Sequence, residues 1–160
     1  MNLEDRVIKL EDEVFKDKVL TFAEAEEKGY EVFSYDNGDY RYEDNNNIEH
    51  LIRDGKELFK GISVWSYDNG DYGYEDNNNI QHLLRDGIEL CQGKSVWSYP
   101  NGDYHYLDDN NIEHLLRDGI ELCQGISVCS FDNGDYRYED NNNIEHRCRI
   151  INNEVWEMKS

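Results

Sequence analysis

The sequence predicts an α+β repeat protein: four tandem 32-residue ββα (hairpin–helix) units forming an extended, twisted antiparallel sheet with helices on one face, preceded by an N-terminal helical cap. Three observations carry that prediction. The line "SYDNGDYRYEDNNNIEH" begins at Ser34 and returns almost unchanged at Ser66, Ser98 and Ser130, 32 residues apart each time. A fixed period of this size marks units that bury a core by stacking on their neighbours. Inside each unit an Asn-Gly pair between β-type runs precedes apolar residues at helical spacing.

The second unit shows the reasoning. In "VWSYDNGDYGYED" two short runs flank Asn69-Gly70, the strongest local hairpin signal. A two-residue turn there sets Asp68 opposite Asp71, Tyr67 opposite Tyr72 and Trp65 opposite Tyr74. Alternation then gathers Trp65, Tyr67, Tyr72 and Tyr74 on one face, with Val64, Ser66, Asp68, Asp71, Gly73 and Glu75 on the other. A three-residue loop with a bulge would shift this register. In "NNNIQHLLRDGIELCQG" Asn79 suits an N-cap and Gly93 a C-terminal cap. Between them Ile80, Leu83, Leu84, Gly87, Ile88 and Cys91 follow the spacing of one helical face. A competing reading ends the helix at Asp86-Gly87 and makes "IELCQ" a third strand, but the unbroken apolar period favours the longer helix.

The units run 32–63, 64–95, 96–127 and 128–160 as one continuous domain, after a cap at 1–31. In the cap, Leu3, Val7, Leu10 and Val14 make an amphipathic helix with a short heptad pattern, which leaves a homodimer through residues 2–18 open. In the last unit Arg147 and Cys148 replace the Leu115-Leu116 pair, giving it a more polar outer flank, as terminal repeats require.

Charge narrows the function. There are 36 Asp and Glu against 16 Lys and Arg, a formal −20. The cap carries −5 and the units −3, −4, −5 and −3, so the acidity runs along the whole chain. With 12 Tyr, 5 Phe and 3 Trp the chain has the aromatics that a disordered acidic chain lacks. Its surface repels nucleic acid and anionic membranes and attracts basic partners. No apolar N-terminal run resembles a signal peptide and no stretch could span a bilayer. Cys91 and Cys123 occupy the position of Phe59, which reads as a buried site holding free thiols. A cytoplasmic setting is expected.

Catalytic and metal patterns are weak. EF-hand spacing is missing, so no cofactor or metal is expected, and Asp68, Asp71 and their equivalents are the positions where calcium would sit. His50, His82, His114 and His146 are one residue repeated, and His105 stands alone on a strand. Neighbouring copies about 10 Å apart cannot share a metal ion, so all five read as structural. No nucleophile elbow, phosphate loop or His-Glu-x-x-His motif occurs, and an asymmetric active site fits poorly with fourfold repetition. An enzyme is not expected.

The expected function rests on rows of carboxylates. The first unit supplies Asp36, Asp39, Glu43 and Asp44, and the second Asp68, Asp71, Glu75 and Asp76. The third supplies Asp103, Asp108 and Asp109, and the fourth Asp132, Asp135, Glu139 and Asp140. Like charges placed across a strand pair destabilise it, so their recurrence points to a role. Such a ladder would suit a nucleic-acid mimic that binds and inhibits a basic DNA- or RNA-binding protein, as a phage or mobile-element counter-defence protein does. The alternative is a carbohydrate or small-ligand module using Trp65, Tyr67, Trp97 and Tyr99. A plain acidic immunity or scaffold protein for one basic partner is a third reading.

Overall fold

The computed structural model describes residues 19–159. Sheet 1 comprises β1 (Val32–Ser34), β2 (Tyr40–Glu43), β3 (Glu49–Arg53) and β4 (Lys56–Gly61). Sheet 2 comprises β5 (Ser63–Ser66), β6 (Tyr72–Glu75), β7 (Gln81–Arg85) and β8 (Ile88–Gly93). Sheet 3 comprises β9 (Ser95–Ser98), β10 (Tyr104–Leu107), β11 (Glu113–Arg117) and β12 (Ile120–Gly125). Sheet 4 comprises β13 (Ser127–Ser130), β14 (Tyr136–Glu139), β15 (Glu145–Ile151) and β16 (Glu154–Met158). Each sheet is an antiparallel meander whose strands pair in sequence order. The one helix among the described residues is α1 (Phe22–Glu27), capped by the Thr21 hydroxyl.

The α+β expectation is therefore corrected: each unit is four strands and contains no helix. The residues expected to form the helix are β7, a turn and β8. Asp86 and Gly87 have φ of 51° and 80°, the two positive values of a two-residue hairpin turn, and Arg85 pairs with Ile88 across it. The competing reading of "IELCQ" as a strand is the one the chain adopts. Asn79, expected to cap a helix, has φ 61° and closes the turn from Asp76 to Ile80. Asparagine tolerates that left-handed conformation better than other side chains.

The Asn-Gly hairpin forms, but with a three-residue loop. Tyr67 N–H donates to the Asp71 carbonyl at 2.9 Å, and Gly70 N–H donates to the Tyr67 carbonyl at 3.0 Å. Gly70 supplies the left-handed residue, at φ 91°, in a type I turn followed by a bulge. The register is consequently Trp65 with Gly73 and Ser66 with Tyr72. Asp68 does not face Asp71 across the strands, and the aromatic residues do not share one face. Tyr72 and Tyr74 pack toward sheet 1, whereas Trp65 and Tyr67 pack toward sheet 3.

Burial on both faces follows from the stack. β3 lies against β5 and β4 against β6, and the same offset recurs at the next two junctions. Adjacent leucines then serve opposite neighbours: Leu84 joins the cluster of Leu51, Phe59, Val64 and Tyr72, while Leu83 joins Val96 and Tyr104. The third junction is filled by Leu115, Val128, Tyr136 and Cys148. Residues 19–31 cover sheet 1, with Leu20 and Ala25 against Tyr42 and Ile52. On the outer face of sheet 4, Arg147 takes the place of Leu51, Leu83 and Leu115. Its guanidinium lies 4.5 Å from the Phe131 ring centroid and 3.5 Å from the Asp135 carboxylate. The expected homodimer helix falls outside the described residues.

Gly93, expected as a helix cap, instead marks a close approach of two sheets. A Cβ there would stand 2.3 Å from the Leu107 carbonyl oxygen, and Gly61 and Gly125 are equally tight against Glu75 and Glu139. Gly93→Ala is expected to force sheets 2 and 3 apart and cost about 1–3 kcal/mol. Urea unfolding measures this, and an unchanged midpoint would show that the junction has slack.

Candidate interaction surface

In an antiparallel meander the first and third turns project from the same end of the sheet. That end carries an Asn-Gly turn from every unit, preceded by Asp in all but the third, and an Asp-Gly turn from every unit but the last, where Asn152-Asn153 replaces it. Asp36, Asp68 and Asp132 are exposed on the first turns, with Pro100 in the third unit. Asp54, Asp86 and Asp118 are exposed on the third turns. One hollow is lined together by Asn37, Gly38, Asp39, Arg53, Asp54 and Asp86. The result is two rows of carboxylates along sheets packed about 10 Å apart, the first interrupted at Pro100 and the second ending at Asp118.

The second row was missed in the sequence because Asp54, Asp86 and Asp118 fell inside the expected helix. The signal was present: Asp-Gly is a hairpin dipeptide of the same class as Asn-Gly.

Four of the expected partner-binding carboxylates are inside the protein. Asp39, Asp71, Asp103 and Asp135 are at most 3% exposed. Arg85 Nε and Nη2 donate to the two oxygens of Asp71 at 2.9 and 2.8 Å, and Arg117 does the same for Asp103. Arg53 and Arg149 hold Asp39 and Asp135. The Arg149 guanidinium keeps the Asp135 carboxyl below the usual carboxylate range. These pairs also tie sheets together. Ser98 Oγ donates to Asp71 at 2.6 Å, and Arg85 Nη2 donates to the Gly102 carbonyl at 2.9 Å. The arginines at this end are thus occupied chiefly by buried partners; Arg53 also reaches the exposed Asp86, Nη1 to Oδ1 at 3.8 Å, and the other exposed turn tips keep their negative charge.

The remaining expected carboxylates lie at the opposite end. Glu43, Glu75 and Glu139 are half-buried beside the second turns, and Asp109 is exposed in one of them. Asp44, Asp76, Asp108 and Asp140 each contact the Nε2 of His50, His82, His114 and His146 at 2.7 Å. One acidic face is therefore replaced by two ends.

The aromatic stripe is broken up. Trp65 Nε1 donates to the Tyr67 hydroxyl at 2.8 Å, and that hydroxyl donates to the Val96 carbonyl at 3.1 Å. Tyr99 packs between sheets 3 and 4 and its hydroxyl meets His105 Nδ1 at 2.8 Å. Trp97 remains half exposed, edge-on to Tyr67. The four cysteines are unpaired, and burial pushes the Cys91 and Cys123 thiols up to about 12. Among the described residues, no group of three or more His, Cys, Asp or Glu is placed to hold a metal ion. No helix among them is long and apolar enough to cross a membrane.

Fold and surface together define a class: a stack of four-stranded antiparallel meanders, each packed on the next, with acidic turn rows at one end. No protein-family model matches the chain, and no curated protein matches it in sequence. Among solved structures it is similar to the WD40 β-propeller domain of Doa1, at 15% identity and a TM-score of 0.32 over 81% of this chain and 48% of that one. It is also similar to virginiamycin B lyase from Staphylococcus aureus, at 15% identity and a TM-score of 0.35 over 82% of this chain and 55% of that one. The chain thus spans about half the length of these structures. At such scores the likeness carries no weight on architecture or activity, and the fold rests on its own strand order and register.

Proposed function

We propose that the protein is a non-catalytic interaction module that engages a basic, nucleic-acid-binding protein through its acidic turn rows and so competes with DNA or RNA. The observation that supports this reading is the pair of rows formed by Asp36, Asp68 and Asp132 and by Asp54, Asp86 and Asp118, all exposed at one end. Nucleic-acid-binding proteins carry Lys and Arg clusters matched to rows of phosphates. A rigid stack presents carboxylates at a fixed pitch without the entropy cost of ordering a flexible acidic tail. Unpaired thiols and a highly negative surface suit a cytoplasmic setting.

The test is capture from a nuclease-treated bacterial lysate on the immobilised protein, eluted with salt, beside a variant with the six turn-tip aspartates changed to asparagine. The captured protein is then competed with duplex DNA or RNA. The proposal expects a nucleic-acid-binding protein that salt and competitor both release, and an association rate lowered about ten-fold or more in the variant at low salt. Retention that is indifferent to salt and to the six substitutions would overturn it. Carbohydrate binding is the second reading, favoured by Trp97 and Phe33, which are 50% and 51% exposed on their strands. Trp97→Ala would abolish glycan binding and leave the salt-dependent capture intact.

A further inference from the structure

The opposite end of the stack carries a device that occurs in every sheet. In sheet 2, His82 lies face to face with Tyr74, its ring centroid 4.5 Å away and the planes 6° apart. Its Nε2 meets Asp76 Oδ2 at 2.7 Å, and its Nδ1 makes a short contact with Glu89 Oε1. Asp76 already uses Oδ1 to accept the Asn78 and Ile80 amides at 2.8 and 3.1 Å. The histidine therefore joins the second turn to the fourth strand of its sheet. His50, His114 and His146 repeat the arrangement on Tyr42, Tyr106 and Tyr138. Their Nδ1 partners are Glu57, Glu121 and Glu157.

A neutral imidazole has one N–H donor and one bare nitrogen, and an ionised carboxylate only accepts. Two carboxylates on one ring thus demand a donor at both nitrogens. We propose that the four His clusters are proton latches: each imidazole is doubly protonated at neutral pH and fastens the second turn to the outer strand, and that end of the stack loosens when the protons leave. The formal charge of −20 counts histidine as neutral, so it omits these four protons.

The surroundings agree. Gln92 and Gln124 lie opposite His82 and His114 on the outer strands, so no further charge faces these rings there. Lys60 is the counterpart opposite His50, and Glu24 and Lys28 line the same hollow as His50. Lys159 shares a hollow with Glu157 in sheet 4. The preceding sheets present uncharged groups to the tyrosines: Phe59 stacks on Tyr74, and neutral thiols of Cys91 and Cys123 stand near Tyr106 and Tyr138. For His82 and His114 burial disfavours the charged ring, but the two carboxylates outweigh it and raise the pKa above its ordinary value. At His146 the hydrogen bond to Asp140, then that to Glu157, raises it.

The sign follows. A histidine whose pKa is raised in the folded state adds stability that is fully present below the unfolded value of about 6.5 and is lost as pH rises through the folded value. The latches of His82, His114 and His146 therefore hold fully below about 6.5 and release as pH rises through the raised folded value.

Long-range proton–nitrogen spectra of the ¹⁵N-histidine protein at pH 6 to 9 test the proposal, with amide exchange at Asn78 and Ile80 followed over the same range. Two ring N–H protons on the four repeated histidines at pH 7, and titration midpoints above 6.5 at His82, His114 and His146, are expected. Beyond the intrinsic rise of exchange with pH, protection at Ile80 is expected to fall about ten-fold as His82 deprotonates. Glu89→Gln keeps an acceptor but removes its charge, and should lower the His82 midpoint without moving that of His114. A single N–H per ring at pH 7, or midpoints at or below 6.5 at His82, His114 and His146, would overturn the double protonation. Unchanged protection across the titration would overturn the latch. Neither result depends on whether the acidic turn rows bind a partner.

Discussion

Asp103→Ala is expected to destabilise the protein by about 2–4 kcal/mol, whereas Asp68→Asn should change stability by no more than about 0.5 kcal/mol. Both aspartates belong to near-identical lines of sequence, so the contrast isolates their environments. Asp103 is 2% exposed and accepts from Arg117, Ser130 and Asn101. Its removal strands a guanidinium that has 26% of its side chain in solvent, which sets the cost below that of a fully buried orphan charge. Ser130, which links sheet 4 to sheet 3, loses the acceptor of its hydroxyl in the same step, while Asn101 keeps Ser130 Oγ and the Phe131 carbonyl. Asp68 points into water at a turn tip and holds no partner's charge inside the fold. Guanidinium unfolding of the two variants decides the matter. Equal losses would mean that the turn-tip carboxylates are structural as well, and the interaction proposal would lose its surface.

Leu115→Arg should be more damaging, at about 4 kcal/mol or more, because it places an unpaired charge at a position with no exposure between sheets 3 and 4. The fourth sheet already carries arginine at the equivalent position, where Arg147 lies over Phe131 and faces Asp135 on the outer side. The reverse change, Arg147→Leu, should leave the fold intact but bare Phe131 beside an added apolar side chain. Concentration-dependent self-association, measured by light scattering, is the expected result. A variant that stays monomeric up to high concentration would show that Arg147 is not what keeps that face soluble.

These two pairs also show which inferences a linear reading can support. The 32-residue period and the Asn-Gly hairpin were open to inspection, because they depend on residues close together in the chain. The helix was misread for a physical reason. A strand buried on both faces has no reason to alternate, and Leu83-Leu84 is apolar on successive residues because each leucine meets a different sheet. The register shift between those two residues blurs the period further. What remained looked like the three-and-four spacing of a helix, and it hid the Asp86-Gly87 turn. The misreading also separated Asp71 from Arg85, fourteen residues on, whose pairing requires the second and third strands to lie side by side.

The sequence by itself determined the repeat length, the places where the backbone can turn left-handed, and a formal charge of −20 spread along the whole chain. Those properties are local or additive, and each unit carries them whole. Only the tertiary structure decided which carboxylates are inside and which face water. In the first three units the fate of an aspartate depends on an arginine from the adjacent strand and on a serine or tyrosine from the next sheet; in the fourth, Arg147 joins Arg149 on Asp135 instead. Near-identical lines therefore contain both buried and exposed acids, and stacking sorts them.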